Sequence, residues 1–261
     1  MLLDMGISPC PNDVFIFAGI LLGAVQDDRL EFSMRFEDVE TLNRLTQAGS
    51  LDVAKISYAN YIRCAAGYRL LDCGGALGRG VGPLLLANGG HFNPDSEILV
   101  PGEFTTANFL LDFYLQRPAA KRFVAFDALY EELLARQGAQ GVVIHEKRFT
   151  YQKDGLALVQ DLGEYWETQT GFAIPLGAIV VRKELQIQER LEGLIRRSLE
   201  WSYAHYDEAF ALCRRHSQDL DPAVVKAHID LYVNEYSKDL GTDGQAAVDF
   251  FLDQQRNLAS V

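Results

Sequence analysis

The feature that most constrains this chain is the alternation, as far as Ile144, of short apolar runs with segments of helical period. Leu2 to Ile7 is an apolar run, Ser8-Pro9-Cys10-Pro11-Asn12-Asp13 turns the chain, and Val14 to Leu22 continues as an apolar helix. Leu30 to Phe36 alternates as a strand does. Val39, Leu42 and Leu45 share a helical face ahead of Gly49, and the strand Val53 to Ile56 precedes a third helix from Tyr58 to Ala66. A glycine-rich connection, Gly74 to Gly82, leads into the apolar run Pro83 to Ala87, after which the pattern restarts. Strands are predicted at Ile98 to Val100, Phe123 to Phe126 and Gly141 to Ile144, with helices at Thr105 to Leu115 and Leu129 to Arg136. Gly177 to Val181 reads as a strand running back. Beyond it the period predicts only helices, over Gln188 to Tyr206, Asp207 to His216, Pro222 to Tyr236 and Gly244 to Leu258, which need a sheet already built to pack against.

Such alternation favours parallel sheets with helices on both faces, and these bind ligands outside the carboxyl ends of their strands. Two series joined by two crossings predict an α/β chain of two lobes around a cleft, residues 1–86 plus 180–261 and residues 87–179. With 48% hydrophobic and 23% charged residues the whole chain is expected to be ordered. A net charge of −12 repels phosphate backbones and acidic lipid surfaces, so neither nucleic acid nor membrane is an expected partner. No run of 18 apolar residues occurs, and Pro9, Pro11 and Asp13 interrupt the N-terminal stretch too early for a signal segment, so a cytoplasmic location is expected. The four cysteines form no C-x-x-C pair and are expected to stay reduced.

The informative residues are those that follow strands. His145 ends the run Gly141-Val142-Val143-Ile144 where a cleft should open; it is either a general base or a strand-end imidazole bonded to a carbonyl. Ser57 follows the third strand and Thr105-Thr106-Ala107 opens a helix; each is a helix cap or, as a pair from opposite lobes, a carboxylate clamp. Ser8, Asn12 and Asp13 allow the same two readings and lean towards capping. The glycine stretch matches neither nucleotide-loop spacing and reads as close turns beside the cleft; Arg79 within it offers a cation to an anionic ligand or is a solvated surface residue. The scattered histidines predict no metal, no cysteine or serine has the setting of a covalent nucleophile, and His228, on a helix, reads as structural.

Ser8 to Phe15, Glu37 to Asn43, Lys55 to Tyr58, Gly74 to Pro83, Thr105 to Ala107, Ile144 to Glu146 with Arg148 to Tyr151, Pro175 to Ile179 and Tyr232 to Asn234 together carry a family resemblance. Over nearly its whole length the chain resembles the 1,4-dihydroxy-6-naphthoate synthase family of the futalosine route to menaquinone. The resemblance implies the two-lobed fold of type II periplasmic binding proteins and a lyase reaction without a cofactor. In that reaction cyclic dehypoxanthine futalosine, a small carboxylate-bearing substrate, yields 1,4-dihydroxy-6-naphthoate and a three-carbon fragment. The family's proton acceptor falls on His145, and its substrate contacts fall on Lys55, Ile56, Ser57, Thr106 and Ala107. Asn12 and Arg79 join them as candidates by position. Phe104 and Asn108 depart from the family's commonest pattern. Two other readings remain. Chorismate dehydratase shares the fold, but the glycine segment and Ile144-His145-Glu146 argue against it. A non-catalytic small-anion binding protein predicts export or lipid anchoring and gives His145 no reason to be a base.

Overall fold

Leu3, Met5 and Ile7 are buried while Leu2 and Asp4 are exposed, so the first apolar run alternates as a strand lying against a core. It belongs to the first of two sheets in the structure, a computed structural model that describes residues 1–89, 91–217 and 221–258. The chain runs through β1 (Leu2–Ile7), α1 (Pro11–Leu21), β2 (Glu31–Phe36), α2 (Val39–Gln47) and β3 (Val53–Ser57), then α3 (Tyr61–Cys64), β4 (Tyr68–Leu70) and β5 (Ala76–Gly78). It crosses to a second sheet with β6 (Leu84–Ala87), β7 (Ile98–Val100), α4 (Thr106–Leu115), β8 (Lys121–Phe123), α5 (Phe126–Ala135), β9 (Gln140–Val143), β10 (Ala157–Asp161) and α6 (Leu162–Thr170). The long β11 (Ile174–Arg182) then returns, and α7 (Gln188–Ala204), α8 (Tyr206–His216), α9 (Pro222–Tyr232), α10 (Glu235–Lys238) and α11 (Gly241–Leu258) follow.

The sheets are mixed rather than parallel. β1 pairs in parallel with β2 and β3, but β11 runs antiparallel to β3, β4 and β5. In the second sheet β7 is parallel to β8 and β9, and β6 is antiparallel to β9 and β10. The cause is the crossing itself: a strand that carries the chain between sheets enters from the opposite end. β6 joins the second sheet from Leu84 and β11 the first from Ile174. Residues 259–261, at the expected end of the first lobe, lie outside the described residues.

Local differences have local reasons. The expected strand ending at Phe126 stops at Phe123, and α5 begins at Phe126 itself. Tyr58–Asn60 is a 3₁₀ turn ahead of the short α3. The helix expected to reach Tyr236 breaks at Val233, because Asn234 caps a new one: its side chain accepts from the Tyr236 N–H, and Ser237 Oγ accepts from the Asn234 N–H. β5 lies inside the glycine stretch, and β10 and α6 fill a segment whose sequence has no clear period.

In α1 Val14, Phe15, Ile16, Phe17 and Ala18 are fully buried, which suits a helix apolar on every side, and α1 packs between the first sheet, α7 and α8. Among the described residues no helix is long and apolar enough to cross a membrane. All four cysteines are free thiols. With the core arranged in this way, the N-termini of α1 and α4 and the ends of β3 and β9 meet between the two sheets.

Candidate active site

A cavity of about 100 Å³ opens where these ends meet. Asn12, Lys55, Ile56 and Ser57 line it from the first sheet's side, Thr106, Ala107 and His145 from the second, and His228 and Tyr232 from α9. Arg79, a candidate from its place in the sequence, is not part of this lining. Its half-exposed guanidinium donates to Gly171 O at 2.7 Å and stands 3.9 Å from Glu167, a surface pairing outside the cavity.

The charges in the cavity are matched internally. Lys55 Nζ lies 2.6 Å from Asp13 Oδ1, with the two side chains 5% and 3% exposed, and also donates to Gly74 O at 3.1 Å. Asp13 further accepts from Ser8 Oγ at 2.6 Å and from Asn12 Nδ2 at 2.9 Å. A buried ion pair is tolerable when its remaining donors and acceptors are met in this way. Ser8 and Asp13 therefore hold the pair rather than cap a helix, and the N-cap residue of α1, Cys10, makes no side-chain cap bond. The first amides of α1, like those of α4, have no intrahelical acceptor, and both helices begin at the cavity. Gly177, opposite Ser57 in the β3–β11 register, gives Lys55 its passage: a Cβ there would stand 2.8 Å from Lys55 Cε.

Ser57 and Thr106 differ in what they have left to offer. Ser57 Oγ accepts from Asn43 Nδ2 at 3.2 Å, and Asn43 Oδ1 accepts the Ser57 N–H at 2.9 Å, so the hydroxyl is held in place with its own proton to give. Thr106 Oγ1 instead donates to Leu176 O at 2.9 Å and accepts from the Ala59 N–H at 3.4 Å. Its hydroxyl joins the two sides of the cleft, and at the start of α4 the amide N–H groups of Thr106 and Ala107 have no intrahelical acceptor. Thr105, not Thr106, caps that helix by accepting from the Asn108 N–H. Of the two departures from the family pattern, the Phe104 ring lies 4.7 Å from both the Arg44 and Arg63 guanidinium carbons, and Asn108 bonds Glu103 O and Lys121; neither lines the cavity.

His145 follows β9 with a backbone φ of 59°, the left-handed region that a non-glycine residue seldom adopts, and opens the 3₁₀ turn His145–Phe149. Arg148 anchors that turn by donating to Gly82 O and pairing with Asp161 at 2.9 Å. The ring meets Phe126 edge-on at 4.8 Å, and Cys10 Sγ lies 3.2 Å from Nδ1. Desolvation pulls the His145 pKa below the ordinary imidazole value against the opposing charges of Glu146, Asp13 and Asp38, which favours the neutral, proton-accepting form of the ring. A second cavity of about 200 Å³, lined by Cys10, Glu37, Asp38 and Phe126, shares His145 as its wall. Asn43, which holds Ser57 from behind the cavity wall, and His228, which lines the cavity from α9, do not stand out as site residues in the sequence; the one signal for His228 is a polar residue on the apolar face Val224, Val225, Ile229 and Tyr232.

A family model described as menaquinone biosynthesis matches residues 3–257. The chain belongs to that family. Within it, the chain is 43% identical over 253 residues to a 1,4-dihydroxy-6-naphthoate synthase of Thermus thermophilus, covering 94% of this chain and 91% of the relative. A relative of the same name from Streptomyces coelicolor is 38% identical over 254 residues, covering 94% and 90%. Among solved structures, a protein of Archaeoglobus fulgidus superposes with a TM-score of 0.93 at 29% identity, over 100% of this chain and 98% of that one. The alkanesulfonate-binding protein of Xanthomonas axonopodis pv. citri superposes with a TM-score of 0.70 at 13% identity, over 98% and 93%. The fold is thus the two-lobed periplasmic-binding-protein fold with a cleft between its sheets, which in this family carries menaquinone biosynthesis.

Proposed function

We propose that this chain is a 1,4-dihydroxy-6-naphthoate synthase, a lyase that converts cyclic dehypoxanthine futalosine to 1,4-dihydroxy-6-naphthoate and a three-carbon fragment. The observation that carries the reading is the likeness to relatives of that name along 94% of the chain. The cavity adds an imidazole whose burial favours the neutral form, suited to take a proton next to a carbonyl, after which aromatisation of the new ring drives expulsion of the fragment. One oriented base of this kind contributes ~10²–10⁴-fold.

In this reading His145 is the base, and the substrate carboxylate is held by the Ser57 hydroxyl and the first amides of α4, aided by the helix dipole. Lys55 and Asn12 act next to the substrate through Asp13, which fixes both. The proposed lobes are the first sheet with its helices, near 1–83 plus 174–258, and the second sheet with its own, near 84–173, a division supported by the sheet to which each strand belongs. The decisive experiment incubates purified protein with cyclic dehypoxanthine futalosine and, in parallel, with chorismate. Naphthoate from the first and unchanged chorismate in the second are the expected results; dehydration of chorismate would replace this reading with its sister activity.

A further inference from the structure

His228 on α9 is 1% exposed, lines the cavity and is hydrogen bonded on one side only. Its Nε2 lies 2.9 Å from Asn12 Oδ1, while its Nδ1 is buried and has no hydrogen-bond partner among the described residues. The neighbours decide which nitrogen carries the proton. Asp13, ion-paired with Lys55, only accepts, so Asn12 must turn its NH₂ to Asp13 Oδ1 and its amide oxygen to His228. That oxygen only accepts, so Nε2 carries the proton, and the neutral ring keeps an unshared lone pair on Nδ1. Folded proteins seldom leave a buried acceptor without a donor. Such acceptors are met by an ordered water or by a ligand, and this one belongs to a residue that lines the cavity.

We propose that His228 Nδ1 accepts a hydroxyl proton from the ligand in this cavity and thereby selects for a hydroxyl at that point. The assignment rests on the synthase reading in one respect: 1,4-dihydroxy-6-naphthoate carries two hydroxyls and a carboxylate. With the carboxylate ionised at neutral pH, the hydroxyls are its hydrogen-bond donors. The His145 ring lies 6.4 Å from that of His228 and within 25° of parallel to it, so the selected hydroxyl is held beside the proposed base. Lys55, Asp13 and Asn12 then act as positioning residues that fix the tautomer, which gives the buried ion pair a role at the ligand.

The test titrates 1,4-dihydroxy-6-naphthoate, kept reduced, and 2-naphthoate, which has the same ring and carboxylate but no hydroxyl, into the protein by calorimetry. Wild type is expected to bind the dihydroxy compound about tenfold or more tightly than 2-naphthoate. His228→Gln keeps a donor where Nε2 stands and leaves Nδ1 unreplaced, so it should bring the two affinities together. His228→Asn sets its amide oxygen near the place of Nδ1 and should restore part of the preference. Nitrogen-15 spectra of histidine-labelled wild type give an answer that does not depend on how either variant folds. The Nδ1 resonance of His228 should move with the dihydroxy compound and stay still with 2-naphthoate. An unmoved resonance, or a preference retained in folded His228→Gln, overturns the assignment while leaving the synthase reading intact. Wild-type protein that binds neither compound overturns both.

Discussion

At the scale of single residues, His145 joins a base's chemistry to an unusual backbone. Its φ of 59° makes asparagine the most informative replacement, since asparagine tolerates the left-handed region and fills similar space but cannot take the proton. His145→Asn should keep its melting temperature within a few degrees and lower turnover at least about a hundredfold. In wild type kcat/KM should rise with pH through a pKa below the ordinary imidazole value of ~6.5, because desolvation favours the neutral form, and that limb should vanish in the variant. Near-normal turnover of folded His145→Asn would place the base elsewhere. Ser57 is a simpler case. Its hydroxyl is held by Asn43 with its proton free, so Ser57→Ala should weaken substrate binding by about 1–3 kcal/mol, read as a higher KM with little change in kcat. Thr106→Ala is expected to act differently, through the join to Ala59 and Leu176, and a thermal melt would register it.

At the scale of elements, the turn that carries His145 depends on a close backbone contact. A Cβ on Gly82 would stand 2.3 Å from both Cα and N of Gly163 at the start of α6, and Arg148, from the His145 turn, donates to Gly82 O. Gly82→Ala must push β6 and α6 apart and should lower stability by about 1–3 kcal/mol in urea unfolding. Gly67→Ala, with nothing within 4 Å of the added methyl, should change it by less than about 0.5 kcal/mol. Elements with a strong period are legible in the amino-acid order alone: β1, α1, α2, β3, β7, α4 and β11 stand within a few residues of where the apolar pattern puts them. β4, β5 and β10 are not, because short strands in glycine-rich or polar segments are defined by the neighbour they pair with, and that neighbour is β11 or β6. The candidate site divides in the same way. His145, Ser57 and Thr106 follow strands or open helices and can be read from order along the chain. Asn43 and His228 sit inside helices, and only the way α2 and α9 pack brings Asn43 against Ser57 and His228 to the cavity. Arg79 falls outside the cavity because a cation in a loop carries no sign of the carboxylate, Glu167, that holds it.

At the scale of the whole molecule, a chain of net charge −12 is expected to bind an anion without an open cation in its cavity. Lys55 is neutralised by Asp13, and the remaining donors are dipoles and a hydroxyl. Long-range repulsion of the substrate carboxylate should therefore outweigh local Coulomb attraction at low salt. Raising ionic strength from ~0.01 M to ~0.15 M shortens the screening length from ~30 Å to ~8 Å, and KM should fall modestly, by less than about threefold. A KM that rises with salt would point to an exposed cation as the anion's partner.

The place of β11 between β3 and β4 has a consequence for how the chain is made. Gly177 pairs with Ser57 about 120 residues earlier, so a ribosome must deliver the entire second sheet before the first can close. At ~5–20 residues per second, β3 waits roughly 6–24 s as a bare hydrogen-bonding edge, while β6 to β10, contiguous in the chain, can fold on emergence. A translational pause while residues 79 to 173 are emerging from the ribosome should therefore promote aggregation of nascent chains, whereas the same pause once residue 182 has emerged should not.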